Sequence, residues 1–163
     1  MRRPIEPGPD QESVWDYPRP PRVEAVGAEV RVELAGVVLA RSSEALRVLE
    51  TSHPPTIYVP RASVDWSRVV PSSRRPTHCE YKGRAVYWSV RSTDLEIDPA
   101  GWSYPDPTHA YRQLAGRVAF FAGDLECYIG ADRARAQAGS FYGGWITDRI
   151  VGPFKGGSGT RGW

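Results

Sequence analysis

Val30-Arg31-Val32-Glu33-Leu34, then Ala35-Gly36, then Val37-Val38-Leu39-Ala40, is the stretch that decides the class of this fold. Val30, Val32 and Leu34 recur at every second position with Arg31 and Glu33 between them. That is the pattern of a strand with one buried face, because successive side chains of an extended chain point to opposite sides. Gly36 turns the chain into a second β-rich run, so 30–40 reads as a hairpin. Working outward, Thr56-Ile57-Tyr58-Val59 is β-branched and aromatic and ends at Pro60. Arg84-Ala85-Val86-Tyr87-Trp88-Ser89-Val90 reads as a further strand, with Gly83 marking a turn or bulge before it. Residues 91–101 read as a polar loop and Trp102-Ser103-Tyr104 as extended chain. Val118–Phe121 and Leu125–Ile129, separated by Ala122-Gly123-Asp124, predict a second hairpin.

Helical signals are short. Ser42 or Ser43 can cap a helix within 42–51, where Ala45, Leu46, Val48 and Leu49 recur at helical spacing before His53-Pro54-Pro55 stops it. Asp106 as cap, Pro107 at the first helical position and Gly116 at the end predict another. Residues 61–67 can add one turn, and Ala131–Ala138 is permissive for helix. No fixed-period repeat occurs. The expected fold is mainly β: small antiparallel sheets and two or three short helices.

At 163 residues and 18.1 kDa the chain matches one domain, able to bury about 70% of its unfolded surface. It divides into a Pro-rich arm over 1–22, a central domain over 23–130 and a Gly- and aromatic-rich extension over 131–163. The arm reads either as disordered or polyproline-like chain or, since it carries Trp15 and Tyr17, as chain whose 14–21 stretch lies pinned on the domain surface. No run reaches the ~18 apolar residues of a membrane span. Met1-Arg2-Arg3-Pro4-Ile5-Glu6 runs into proline and acid, so no secretory leader is expected. The expected compartment is therefore the reducing cytoplasm, with Cys79 and Cys127 as free thiols. A net charge of +2 gives no reason to expect nucleic acid or membrane as partner. Oligomeric state is expected to be monomer or weak homodimer.

Motifs for chemistry are sparse. His53, His78 and His109 lack metal-ligand spacing, and His78 and Cys79 point to opposite faces of an extended chain, so no metal and no cofactor are expected. Cys127 alternates with Leu125 and Ile129 and reads as core. Cys79 lies near Lys82, a cation able to lower a thiol pKa, although a buried inert thiol is the plainer reading. Gly156-Gly157-Ser158-Gly159-Thr160 has a phosphate-loop look but not the order of one, because Lys155 precedes the glycines.

Lys82 stands out. Only Lys82 and Lys155 are lysine among 21 basic residues, so arginine was the easy choice and a retained lysine points to a compact or titratable charge. Its plain alternative is an exposed lysine at a turn. Glu50, at the end of the expected 42–51 helix, would be disfavoured by the helix dipole and so calls for solvent or a cationic partner, Lys82 or an arginine. Tyr58, Tyr87, Trp88, Trp102 and Tyr104 come from three extended segments, a set that forms either core or the wall of a small apolar site.

Thr77-x-Cys79-x-x-Lys82-Gly83-x-Ala85-x-Tyr87, Trp102-Ser103-Tyr104-Pro105-Asp106-Pro107 and Val118-Ala119-Phe120-Phe121 resemble the domain-of-unknown-function 427 family. So do Arg47–Pro55, Tyr58-Val59-Pro60, Trp15–Pro21 and Gly152–Gly157, the last two as in its longer bacterial members. The resemblance implies a β-tent-like fold, small antiparallel sheets leaning around a groove. Some proteins of that fold carry zinc on paired C-x-x-C motifs, which this chain lacks; the cereblon type cages a heterocycle in aromatic side chains. The family has also been labelled a nucleotidyltransferase group. Here Gly157-Ser158 follows the only acidic pair of suitable shape, Asp124-Leu125-Glu126, which is the wrong order. The leading expectation is a module binding a heterocycle or nucleoside-like small molecule through Lys82, Glu50, Thr77 and Cys79, with Tyr58, Tyr87, Trp102 and Tyr104 as walls. The alternatives are an enzyme using Lys82 with Cys79 or Glu50 at the same groove, and a protein-interaction domain.

Overall fold

The computed structural model describes residues 3–139 and 141–163. Met1 and Arg2 of the 1–22 arm, and Ser140 of the 131–163 extension, lie outside the described residues. The fold is mainly β, built of small antiparallel sheets. Val30–Leu34 and Val37–Ser42 form the expected hairpin, and its turn residues Ala35 and Gly36 both have positive φ, 50° and 80°. Two left-handed residues give the tight turn whose twist matches that of the flanking strands. Glu126–Ile129 joins the other edge of Val30–Leu34, and Asp132–Arg133 completes this four-stranded sheet.

The larger sheet carries the site. Arg22–Ala25, Leu46–Leu49, Thr56–Val59, Val118–Phe120, Glu96–Ser103, Gly83–Arg91 and Val69–Pro71 lie side by side in that order. Thr77–Cys79 pairs with the start of Gly83–Arg91, along the edge that Val69–Pro71 uses farther on. Strand alternation sorts this sheet into two faces. Ile57, Val59, Val118 and Phe120 pack with Val30, Val32, Leu39 and Cys127 of the smaller sheet in the main core. Tyr58, Ala119, Trp102 and Val48 point the other way, into a second cluster with Tyr104, Tyr111 and Leu114. Cys127 is fully buried, and burial pushes its thiol pKa up, so it behaves as the small hydrophobe expected.

The flanking segments pack on the central region. Glu12–Ser13 pairs in parallel with Ile150–Val151. Val14 and Tyr17 are buried with Leu49 and Ile150, so this stretch of the arm packs on the domain. Trp163 returns against Trp15, ring centroids 5.2 Å apart.

Five expectations about local structure are corrected. Residues 46–49 are a strand, not part of a helix: Leu46–Leu49 pairs with Arg22–Ala25 on one side and Thr56–Tyr58 on the other. The 106–116 helix is a kinked 3-10 segment over His109–Leu114, non-helical at Tyr111, with Thr108 rather than Asp106 at the position before it and no side-chain cap. Val118–Phe120 and Glu126–Ile129 are not a hairpin; they run in different sheets, so 121–125 is a crossover. Half of the 91–101 loop belongs to Glu96–Ser103, whose register shifts between Ile97 and Gly101, where Pro99 offers no N–H. Ala131–Ala138 is extended in part, as Asp132–Arg133 and Arg135–Ala136. Arg61–Ser63 forms the single turn expected near 61–67.

Candidate functional site

The second face of the large sheet forms the back of a cavity of about 400 Å³. Tyr58, Tyr87, Trp102 and Tyr104 line it, as do Thr77, Cys79, Lys82 and Glu50. Pairing explains how distant stretches meet: Trp102 lies opposite Tyr87 and Ala119, Ala119 opposite Tyr58, and Tyr58 opposite Leu46. Thr77 lies opposite Ala85, which brings the Thr77–Cys79 strand over the same face.

The aromatic wall is tightly coupled. Trp102 Nε1 donates to the Tyr58 hydroxyl at 3.1 Å, with the two rings edge-on at 6.1 Å. Tyr104 lies 6.3 Å from Tyr58, and Phe121 backs Trp102 at 4.9 Å. Burial pushes the phenol pKa values of Tyr58 and Tyr104 well up, so both remain neutral and can donate a hydrogen bond. Tyr87 and Thr77 share a hydroxyl–hydroxyl hydrogen bond of 2.7 Å, and the Arg74 guanidinium covers the Tyr87 ring at 4.3 Å. Trp88, the fifth aromatic singled out, is on the opposite face, against Trp66 at 4.8 Å, and does not line the cavity.

Lys82 is 8% exposed, not a solvated turn lysine. The turn after Thr77–Cys79 carries it inward, and its Nζ has one contact, Cys79 Sγ at 3.7 Å. Among the described residues no carboxylate oxygen comes within 4.0 Å of that ammonium. Glu50 does not pair with it. The Glu50 carboxylate stands 3.9 Å from Arg19 Nε and 3.7 Å from His53 Nε2. Glu50 follows a strand, so the helix-dipole argument that marked it does not apply, although the cationic partner it called for is there in Arg19.

Sequence reasoning missed the other side of the cavity. His53, Gln137, Tyr142 and Lys155 line it. Tyr142 meets the His53 ring edge-on at 5.0 Å, and Lys155 Nζ lies 5.5 Å from the Tyr142 ring while donating to Trp163 O at 3.0 Å. Gln137 ties this segment together, donating to Lys155 O at 2.6 Å and accepting from Gly144 N at 3.0 Å. Backbone hydrogen bonds from Trp145 N to Pro55 O and from Lys155 N to Ser52 O, each 2.8 Å, fix the extension to the 52–55 turn. Gly143 allows the approach: a Cβ there would overlap the outer edge of the Trp102 ring. One signal could have found Lys155. It is the chain's other lysine, and the scarcity that singled out Lys82 applies to it equally.

His53 reports the field in this cavity. Burial, then the charges of Lys155, Lys82 and Arg19, push its pKa down to about 4. Glu50 at 3.7 Å favours the charged ring, but burial and three cations outweigh it. The ring is neutral at pH 7, and the cavity lining carries Lys82 and Lys155 together with Glu50 and Glu80.

A second cavity, of about 570 Å³, has Arg47, Glu12, Asp132 and Arg149 in its lining. Four of its charges are paired, Arg47 to Glu12 at 2.5 Å and Arg149 to Asp132 at 2.6 Å, which is how a structural network looks, and Asp10 also lines it. Among the described residues no three His, Cys, Asp or Glu side chains are grouped to hold a metal ion. None of Asp124, Glu126, Gly157 and Ser158 lines either cavity. No described helix is long and apolar enough to cross a membrane.

The fold and site define a mainly β protein of small antiparallel sheets with an aromatic-walled, lysine-bearing cavity on one face. Residues 22–130 match the family described as Domain of unknown function (DUF427), and the chain belongs to that family. None of the curated proteins matches the chain. The match ends before Gln137, Tyr142 and Lys155, so residues outside it complete the cavity.

Proposed function

We propose that this protein is a cytoplasmic domain that binds a small molecule, a heterocycle or nucleoside-like compound, with Lys82 as its main polar anchor. One observation carries the reading. Residues from six separate stretches of the chain converge on one aromatic cavity of about 400 Å³, within the size of small-ligand sites, and a nearly buried lysine without a carboxylate partner points into it. Tyr58 and Trp102 would hold a flat ring, Thr77 and Tyr87 would offer hydroxyls, and Glu50 with His53 would accept or donate at the far side. Such a ligand binds only the folded state, so at a hundredfold excess over Kd it raises stability by about 2.7 kcal/mol. A thermal-shift screen of wild type and Lys82→Ala against nucleosides, heterocycles and small metabolites tests this. A compound that shifts wild type and not the variant supports it; no shift across the set, with both proteins equally stable, refutes it.

The 3.7 Å contact of Lys82 Nζ with Cys79 Sγ favours a second reading, an enzyme in which Cys79 is the nucleophile and Lys82 assists. Iodoacetamide alkylation of Cys79 should then be fast at neutral pH and slow on Lys82→Met. A rate equal to that of a free thiol in both proteins rejects it.

A further inference from the structure

From the cavity's two lysines we infer that the ligand is an anion: a ring compound bearing a carboxylate or phosphate group that sits between Lys82 and Lys155. The inference rests on the small-ligand reading above and adds the charge of the ligand. The chain spends both of its lysines on this one cavity while using arginine everywhere else. An ammonium is a compact charge with three donors, suited to an anion approached from several directions. Lys82 uses one donor on a sulfur at 3.7 Å, and no carboxylate of the described residues balances it. Lys155 donates to the main-chain oxygen of Trp163, the last residue of the sequence, at 3.0 Å, so its charge is partly offset there, and two of its donors remain for a ligand.

The acids near the cavity are otherwise engaged. Glu50 is shared by Arg19 and His53, and Glu80 is exposed at the rim. A neutral ligand that displaced water from Lys82 would leave a desolvated ammonium facing neutral groups, which is costly. An anionic group replaces the lost hydration with charge-assisted hydrogen bonds instead. His53, Lys82 and Lys155 line the same cavity, and the two lysine charges add to burial in pushing the His53 pKa down. The aromatic wall of Tyr58, Trp102 and Tyr104 takes the ring. Because Lys155 lies outside the matched 22–130 region, half of this anion site belongs to the extension.

The test uses the full chain and matched probe pairs that differ in charge: benzoate with benzamide, phenyl phosphate with phenol, and uridine monophosphate with uridine, measured by calorimetry. Charge-assisted hydrogen bonds predict that at least one anion binds wild type about tenfold or more tightly than its neutral counterpart. Lys82→Met and Lys155→Met should each weaken the anion more than its neutral counterpart and so shrink that ratio. The carboxylate and phosphate arms tell the two anion classes apart. Neutral probes binding as tightly as their anions would overturn the charge assignment and leave the small-ligand reading standing. Failure of every probe, charged or neutral, to bind wild type would overturn both. The wild-type ratio decides the matter even where a lysine variant does not fold.

Discussion

Lowering the pH should destabilise this protein through a single histidine. His53 has a folded-state pKa of about 4 against an ordinary 6.5. Its side chain is 13% exposed, so solvent screens it little. The sign follows from which state takes the proton first. Between pH 6.5 and 4 the unfolded chain holds a proton on this ring and the folded chain does not, so acid favours unfolding. Its contribution to stability is complete above about pH 6.5 and falls by up to about 1.4 kcal/mol per pH unit. By pH 4 it has declined by about 3 kcal/mol, and below that it is flat. That is a large part of the 5–15 kcal/mol typical of a domain.

Urea unfolding of wild type and His53→Gln across pH 4–7.5 measures it. The carboxylates titrate in both proteins, so the difference curve isolates His53. Imidazole nitrogen shifts on the folded protein give the pKa directly. Lys155→Met should move that pKa up, because after burial Lys155 is the largest of the three opposing charges, and Lys82→Met should move it less. A folded-state pKa near 6.5 with both lysines present, or a flat difference curve, would refute this account of a buried His53 flanked by cations.

Three further outcomes are expected. Gly143→Ala places a methyl against the Trp102 ring and should cost about 1–3 kcal/mol in thermal unfolding while weakening any ligand of the cavity. Arg47→Met should cost about 1–3 kcal/mol at pH 7, since Arg47 binds Glu12 at 2.5 Å and Glu24 at 2.5 and 2.9 Å. Burial alone would raise the Glu12 pKa, but hydrogen bonds from Arg47 and Tyr17 outweigh it and hold it low. The stability this contributes is present above the ordinary carboxylate pKa and is lost as pH falls through the depressed folded value, so the Arg47→Met difference should shrink in acid. Ala35→Asn should stabilise by about 0.5–1 kcal/mol by chemical unfolding, because Ala35 is exposed at φ 50° and asparagine tolerates that left-handed conformation.

Local pattern determined a good deal. The alternation at Val30–Leu34 fixed a strand and its buried face, and Ala35-Gly36 fixed the turn, because both depend only on neighbours in sequence. The lone-lysine argument located Lys82 from composition alone, and motif resemblance placed the chain in its family. Leu46–Leu49 shows where local pattern stops. A four-residue apolar run suits a helix or a buried strand equally. The choice is made by two flanking strands, and it sends Val48 to the cavity side and Leu49 to the Val14–Ile150 cluster. Val118–Phe120 and Glu126–Ile129 looked like partners because they are close in sequence, yet each finds a better-matched partner in a different sheet. The same holds for the cavity. Its aromatic wall could be listed from sequence, but its closure by His53, Tyr142 and Lys155 required the extension to fold back over the 52–55 turn. Contacts between residues about 100 positions apart are set by packing and hydrogen bonds summed over the whole chain, and no local spacing encodes them.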